Sequence, residues 1–268
     1  MFMFNLFFKN IINIMNYKFV IKSKDRVEKF RKMTYHLLKN YNIEDSNIYI
    51  FVSYETDLQN YKKNFPNCNI ILGDSGIVGI DNFIVDYFEE NEEYIYMNDD
   101  ISKIYKCIDK KTLKILSVNE FYELINELFT TMKKNQYTYA GVYPVDNPYF
   151  ICNVEPITTN LCIIIDGFSA CINNKNIRLT KFKLSETVKD NYFSDYEKSI
   201  LHFINSGIIR FNKYCFTGEF FGKGISERTQ ELHKINAELM LKKYSKYISS
   251  IKSKKDGWNS LRLKKIKK

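Results

Sequence analysis

Along the first hundred residues the spacing of apolar positions changes period in turn. Residues 17–21 (YKFVI) form a short aromatic and β-branched run, which suits a strand. Ser23 and Asp25 then open a stretch in which Phe30, Met33, Leu37 and Leu38 recur at helical spacing. Residues 47–52 (NIYIFV) predict a second strand, 58–65 a short helix and 69–72 (NIIL) a third strand. Gly73, Gly76 and Gly79 punctuate a loop. A helix is predicted over 80–88, with Phe83, Ile84, Tyr87 and Phe88 on its apolar side. Residues 93–97 (EYIYM) predict a fourth strand that ends at Asn98-Asp99-Asp100. This alternation predicts an α/β chain with a mostly parallel central sheet flanked by helices. In such sheets ligands gather at the carboxyl ends of the strands, where 22–26 and 98–100 both lie.

The second half is less regular. It predicts a helix over 118–133 with Phe121, Leu124, Ile125 and Leu128 on one face, and a strand over 139–143. Residues 161–166 (LCIIID) read as a buried strand, 195–205 as a helix ending near Gly207, and 208–211 as a strand. A long amphipathic helix is expected over 229–248, carrying Leu232, Ile235, Leu239, Met240 and Tyr244. No repeat or linker interrupts the pattern, so 16–248 reads as one domain with a helical, basic C-terminal segment. Residues 1–15 form an apolar accessory segment. Asn5, Lys9, Asn10 and Asn13 interrupt it, leaving it too short and too broken to span a membrane.

Composition excludes a disordered chain, and ten Gly with four Pro exclude collagen-like and linker-like classes. Lys and Arg number 40 against 31 Asp and Glu, a net charge of +9 that favours polyanionic partners such as nucleic acid or an anionic membrane surface. Much of the excess crowds the end, from Lys242 to Lys268, so 249–268 reads as a basic tail able to contact phosphates. A solvated tail without a partner has the same composition. None of the six cysteines forms a C-x-x-C pair. They read as reduced, mostly buried thiols of an intracellular protein, cytoplasmic or nuclear.

Three constellations can carry chemistry. An apolar strand running into Asp99 and Asp100 places hard oxygen ligands at a strand tip, which suits Mg²⁺ or Mn²⁺ bridging a diphosphate; adjacent acids also merely solvate loops. Lys22, Ser23 and Arg26 follow the first strand and suit a nucleotide phosphate, although a capped helix start looks alike. The loop around Gly76 permits close backbone approach to a ligand but matches neither G-x-G-x-x-G nor a phosphate loop.

The order of I-x-S-x-x-R after the first strand, a GI…NFI helix start and a strand ending in an aspartate pair resembles the GT-A glycosyltransferases. More narrowly, GIVGIDNFIVDYFEENEEYIYMNDDI resembles the TET-associated glycosyltransferases, related to the base J glucosyltransferase. The 194–199 run SDYEKS, with Gly207 beyond it, resembles the acidic region of GT-A enzymes. Phe221, Gly222, Lys223, Gly224 and Ile225 with Arg228, then Lys243-Tyr244, resemble this group's C-terminal pattern. The resemblance spans most of 17–265.

It implies a UDP-sugar donor, with glucose as the sugar, and a hydroxymethylated pyrimidine in DNA as acceptor. It implies Asp99 and Asp100 at the metal, and Lys22, Ser23, Arg26, Gly76, Asn82, Asn98 and Asp99 around the nucleotide. Asp195 is the implied general base, with Glu197 and Asp190 in reserve, and Asp195 also suits a helix N-cap. His233 is late enough to be a further metal ligand, or an ordinary helix residue. Two positions depart from the pattern. Asn98 replaces the first acid of the metal motif, and Asp81 stands where Arg is expected before Asn82. Two rival classes stay open: a transferase acting on a glycan, protein or lipid, and, favoured by these two departures, a nucleic-acid-binding module that kept the fold and lost catalysis.

Overall fold

A computed structural model describes residues 17–218 and 229–267. The first four predicted strands form, as β1 (Lys18–Lys22), β2 (Ile48–Val52), β3 (Asn69–Leu72) and β4 (Glu93–Asn98). They pair in parallel in the order β3-β2-β1-β4. Between them run α1 (Val27–Phe30), a wide π turn (Arg31–Tyr35) and α2 (His36–Asn40), then α3 (Glu55–Asn64) and α4 (Ile77–Tyr87).

The sheet then becomes mixed. It gains β5 (Ile101–Cys107), β6 (Leu113–Ile115), β7 (Tyr139–Tyr143), the short β8 (Ile157–Thr158), β9 (Phe168–Ile172) and β12 (Ile208–Gly218). The full order is β3-β2-β1-β4-β9-β7-β12-β5-β6, with β9 antiparallel to both β4 and β7. Two small hairpins stand apart, β10 (Phe182–Lys183) with β11 (Lys189–Asp190), and β13 (Ile248–Ser253) with β14 (Asn259–Leu263).

Strand alternation sends successive side chains to opposite faces. Phe19 and Ile21 join the core beneath α2 and α5 (Val118–Asn135), whose start is fixed by a reciprocal Ser117–Glu120 capping box. Val20, Tyr94 and Tyr96 face the other side, under α4, α7 (Ser194–Asn205) and α8 (Gln230–Lys243). Gly207 ends α7 at φ +117°, and the Tyr137 ring lies 2.4 Å from where a Cβ would stand, so only glycine fits.

Three expectations change. Residues 161–166 form no strand; the buried strand begins at Phe168, after the Asp166-Gly167 turn. The helix expected over 229–248 stops at Lys243. Residues 249–268 are not a loose tail through most of their length. Ile248 and Leu261 are buried in the β13–β14 hairpin, and the Leu161 N–H donates to the Ile266 carbonyl at 2.9 Å. The apolar residues Ile248, Ile251, Leu261 and Leu263 are what the basic composition hides. Between β7 and β8 lies α6 (Pro148–Ile151). Among the described residues, no helix is long and apolar enough to cross a membrane. Residues 1–15 and 221–225 and Arg228 lie outside the described residues.

Candidate active site

The carboxyl ends of β1 and β4 bring two groups of charge to one end of the sheet, one on each face. On the α1 face, Ser23 Oγ donates to Asp99 Oδ2 at 2.6 Å and contacts Tyr61 Oη at 2.5 Å. Arg26 Nη1 lies 3.1 Å from Asp99 Oδ1 and 3.7 Å from Asp100 Oδ2, which Lys29 approaches at 3.4 Å. Both carboxylates are 5 % exposed. Asp99 is thus held on both oxygens by the turn that joins β1 to α1. Asp100 keeps Oδ1 buried with no hydrogen-bond partner. Burial, then the charge of Asp99, raise the Asp100 pKa, against Lys29 and Arg26. A buried carboxylate oxygen without a donor costs free energy unless a cation or proton meets it. Asp100 therefore fits a divalent metal, and Asp99 fits the role of its support.

On the other face stands a buried network of which sequence patterning marks only some members. Lys22 Nζ lies 2.8 Å from Asp81 and 3.5 Å from Asp166. Lys198 Nζ lies 2.6 Å from Asp166 and 3.4 Å from Asp81. Tyr96 donates to Asp81 at 2.5 Å and Tyr139 to Asp166 at 2.9 Å. Lys198 also sits 4.3 Å from the Tyr96 ring centre. The Asp166 N–H donates to Asp195 Oδ1 at 3.4 Å. With Met97 opposite Phe168, the β4–β9 register brings Asp166 to the sheet end occupied by Asp99.

Three acids, Asp81, Asp166 and Asp195, thus share two lysines. Burial opposes ionisation of Asp81, but Lys198 and Lys22 outweigh it and hold its pKa down to about 2. Asp195 is the odd acid. Burial, then the charge of Asp166, push it up to about 6, against Lys198 and Lys22. Burial also works against the charge on Lys198, yet Asp166 and Asp81 raise its pKa. His202 is buried, stacks on Tyr139 and is held down to about 3 by burial and then by the charge of Lys198, so it stays neutral. Asp195 and Lys198 stand three residues apart on α7, one turn of one face.

Other expected site residues are placed elsewhere. Glu197 faces α8, fully buried, and accepts from Thr180 N, Thr180 Oγ1, Asn191 Nδ2, Lys243 Nζ and Tyr244 Oη at 2.5–3.1 Å. Its oxygens are consumed in tying the 180–191 loop to α7 and α8, which rules out a proton-accepting task there. The Lys243-Tyr244 pair of the C-terminal pattern meets this carboxylate. Asp190 accepts from Ile77 N and Val78 N, both at 3.1 Å, and so caps α4 behind Gly76, whose φ is +81°. Asn82 is spent on both backbone polar groups of Leu179. His233 packs among Tyr192, Phe193 and Trp258 and anchors the β13–β14 hairpin rather than a metal. Among the described residues, no three His, Cys, Asp or Glu side chains converge on a metal position. A cation held partly by a ligand's own oxygens would need no such group.

Asp81, the departure from the expected Arg, is the counterion of Lys22 and Lys198. Sequence reasoning missed Asp166 and Lys198. Their signals were an aspartate closing an apolar run and a lysine three residues after Asp195.

The solved structure of GalNAc-T7 with UDP, GalNAc and Mn²⁺ shares this architecture at a TM-score of 0.52 and 8% identity. The match covers 84% of this chain and 47% of that one. The chain has the GT-A glycosyltransferase fold. Glucosyl-3-phosphoglycerate synthase from Mycobacterium tuberculosis, solved with Mn²⁺ and UDP-glucose, matches at a TM-score of 0.48 and 8% identity, over 94% of this chain and 86% of that one. No protein-family profile and no curated protein matches the sequence. In the GT-A frame, Ser23, Arg26, Asp99 and Asp100 lie on one side of the β1–β4 tips. Lys22, Asp166, Lys198 and Asp195 lie on the other.

Proposed function

We propose that this chain is a metal-dependent glycosyltransferase that moves a hexose, glucose, from a UDP-sugar to a hydroxylated base in DNA. One observation carries the transferase reading. Within a GT-A fold, a carboxylate with a buried oxygen that has no hydrogen-bond partner and a carboxylate raised to about 6 stand at the same strand ends. The first suits a donor diphosphate and its cation; the second suits a proton acceptor near neutral pH.

Asp195 takes the proton of the acceptor hydroxyl as its oxygen attacks the anomeric carbon. The bond from that carbon to the diphosphate oxygen breaks, and UDP leaves. Asp166 fixes Asp195 through its own N–H, and Lys198 and Lys22 hold Asp166. Asp100, braced by Asp99, is the residue to hold Mn²⁺ or Mg²⁺, which supplies positive charge for the leaving diphosphate. Arg26 and Lys29 add fixed cations beside it. Asp100→Asn is expected to lower transfer about 100-fold and to weaken Mn²⁺ binding in the presence of UDP, read by electron paramagnetic resonance. Unaltered Mn²⁺ binding would remove Asp100 from this role.

The acceptor class rests on the resemblance of residues 76–101 and on the net charge of +9. Lys252, Lys254, Lys255, Lys264 and Lys265 are exposed on and beside the β13–β14 hairpin and suit duplex phosphates. Deleting the segment would expose the core around Leu261, so charge replacement is the sound test. Changing these five lysines to Gln should weaken DNA binding and reduce its log–log salt slope by roughly one for each phosphate left without its lysine. A slope equal to that of the wild type would exclude the hairpin from DNA contact.

The deciding experiment offers nucleotide sugars, Mn²⁺ and DNA containing hydroxymethyluracil or hydroxymethylcytosine, and weighs the released nucleosides. A gain of one hexose supports the full reading. Transfer to glycan, protein or lipid acceptors alone would reassign the acceptor, and absence of donor turnover with every acceptor would overturn the enzyme.

A further inference from the structure

Away from the strand tips, two cysteines 45 positions apart in sequence come together. Cys107 ends β5 and is buried; Cys152 follows α6 and is exposed. Their Sγ atoms are 3.3 Å apart. Cys152 is the exposed one among mostly buried or half-buried thiols. The surrounding backbone holds the pair. Asn147 caps α6 by accepting from the Tyr149 N–H, the Cys152 N–H donates to the Pro148 carbonyl at 3.0 Å, and the Cys107 thiol contacts the Pro148 and Asp109 carbonyls. Beneath lie Ile151 and Cys215, both buried.

We propose that Cys107 and Cys152 form a thiol–disulfide exchange site for small-molecule disulfides of the glutathione class. The site is independent of the transferase reading. A covalent S–S bond is about 2.05 Å long, so the sulfurs need to close by little more than 1 Å. On the Cys152 side the closure meets only the four-residue α6, whose Tyr149 and Phe150 face solvent. Cys152 is the sulfur a solution disulfide can reach. Burial, then the hydrogen bond to Cys152, push the Cys107 thiol up to about 12, so Cys107 acts second.

The Cys152 thiolate attacks one sulfur of glutathione disulfide, forming a mixed disulfide and releasing one glutathione thiolate. Cys107 then loses its proton and attacks Sγ of Cys152, releasing the second glutathione. Two protein thiols are oxidised, one glutathione disulfide is reduced, and both protons end on glutathione.

The test treats the reduced, full-length protein with excess glutathione disulfide and follows intact mass and non-reduced peptides. The wild type is expected to lose about 2 Da, the two thiol hydrogens, and to yield a Cys107–Cys152 peptide that dithiothreitol reverses. Cys107→Ser, or Cys107→Ala if the serine variant misfolds, should stop at glutathionylated Cys152. Cys152→Ser should give neither product. A Cys107–Cys215 link, glutathione persisting on wild-type Cys152, or no reaction would each overturn the site.

Discussion

Asp195→Asn is expected to lower kcat about 10³-fold, within the range a positioned general base contributes. The donor KM should stay near the wild-type value, because Asp195 lies on the face of the sheet opposite Asp99 and Asp100 and contacts Asp166. In the wild type, the acid limb of kcat/KM should fall at about pH 6, where burial and Asp166 place this carboxyl. Asp166→Asn removes the repelling charge and should move that limb to lower pH. Stability gives a second, activity-free reading. A carboxyl whose pKa is raised on folding binds its proton more tightly in the native state. Asp195 therefore subtracts stability as pH climbs from about 4, its unfolded value, to about 6. Denaturant titrations across this window should show that loss in the wild type and not in Asp195→Asn. A wild-type rate without an inflection near pH 6, together with full activity of the variant, would dismiss Asp195 as the base.

The second large effect is on the fold itself. Lys198→Met should destabilise the protein by about 3–5 kcal/mol, the range seen when one partner of a buried ion pair is removed. Lys198 lies closer to Asp166 than Lys22 does and also lies against Asp81, and both acids are at most 5 % exposed. Its loss leaves Lys22 to face three carboxylates. Adding Asp81→Asn to Lys198→Met restores the original excess of one acid and should recover part of the stability. Urea unfolding of both single variants and the double variant, arranged as a double-mutant cycle, measures the coupling. Additive changes would show that Lys198 and Asp81 do not act as one unit.

The order of the first elements was legible because local pattern and tertiary role agree there. The alternation through 17–98 marks apolar strands between helices with one apolar side, and the parallel β3-β2-β1-β4 block follows. The Asp99-Asp100 tip was legible for the same reason: it lies one step past an unmistakable strand. Residues 161–166 misled because an apolar run marks burial, not conformation; here it is irregular chain leading into β9. Glu197 and Asp195 are two residues apart, and nothing local says which reaches the strand tips. Helix rotation decides it, turning Asp195 with Lys198 towards Asp166 and Glu197 towards Tyr244.

The chain alone determined the class of fold and the strand tip that carries Asp99 and Asp100. Only the tertiary structure decided how three acids divide two lysines, and that Asp195 is the one whose burial and acidic neighbour outweigh them. Charge balance in a buried network depends on partners brought from β1, α4, the turn before β9 and α7, across as many as 117 positions of sequence. Spacing along the chain does not encode such distances.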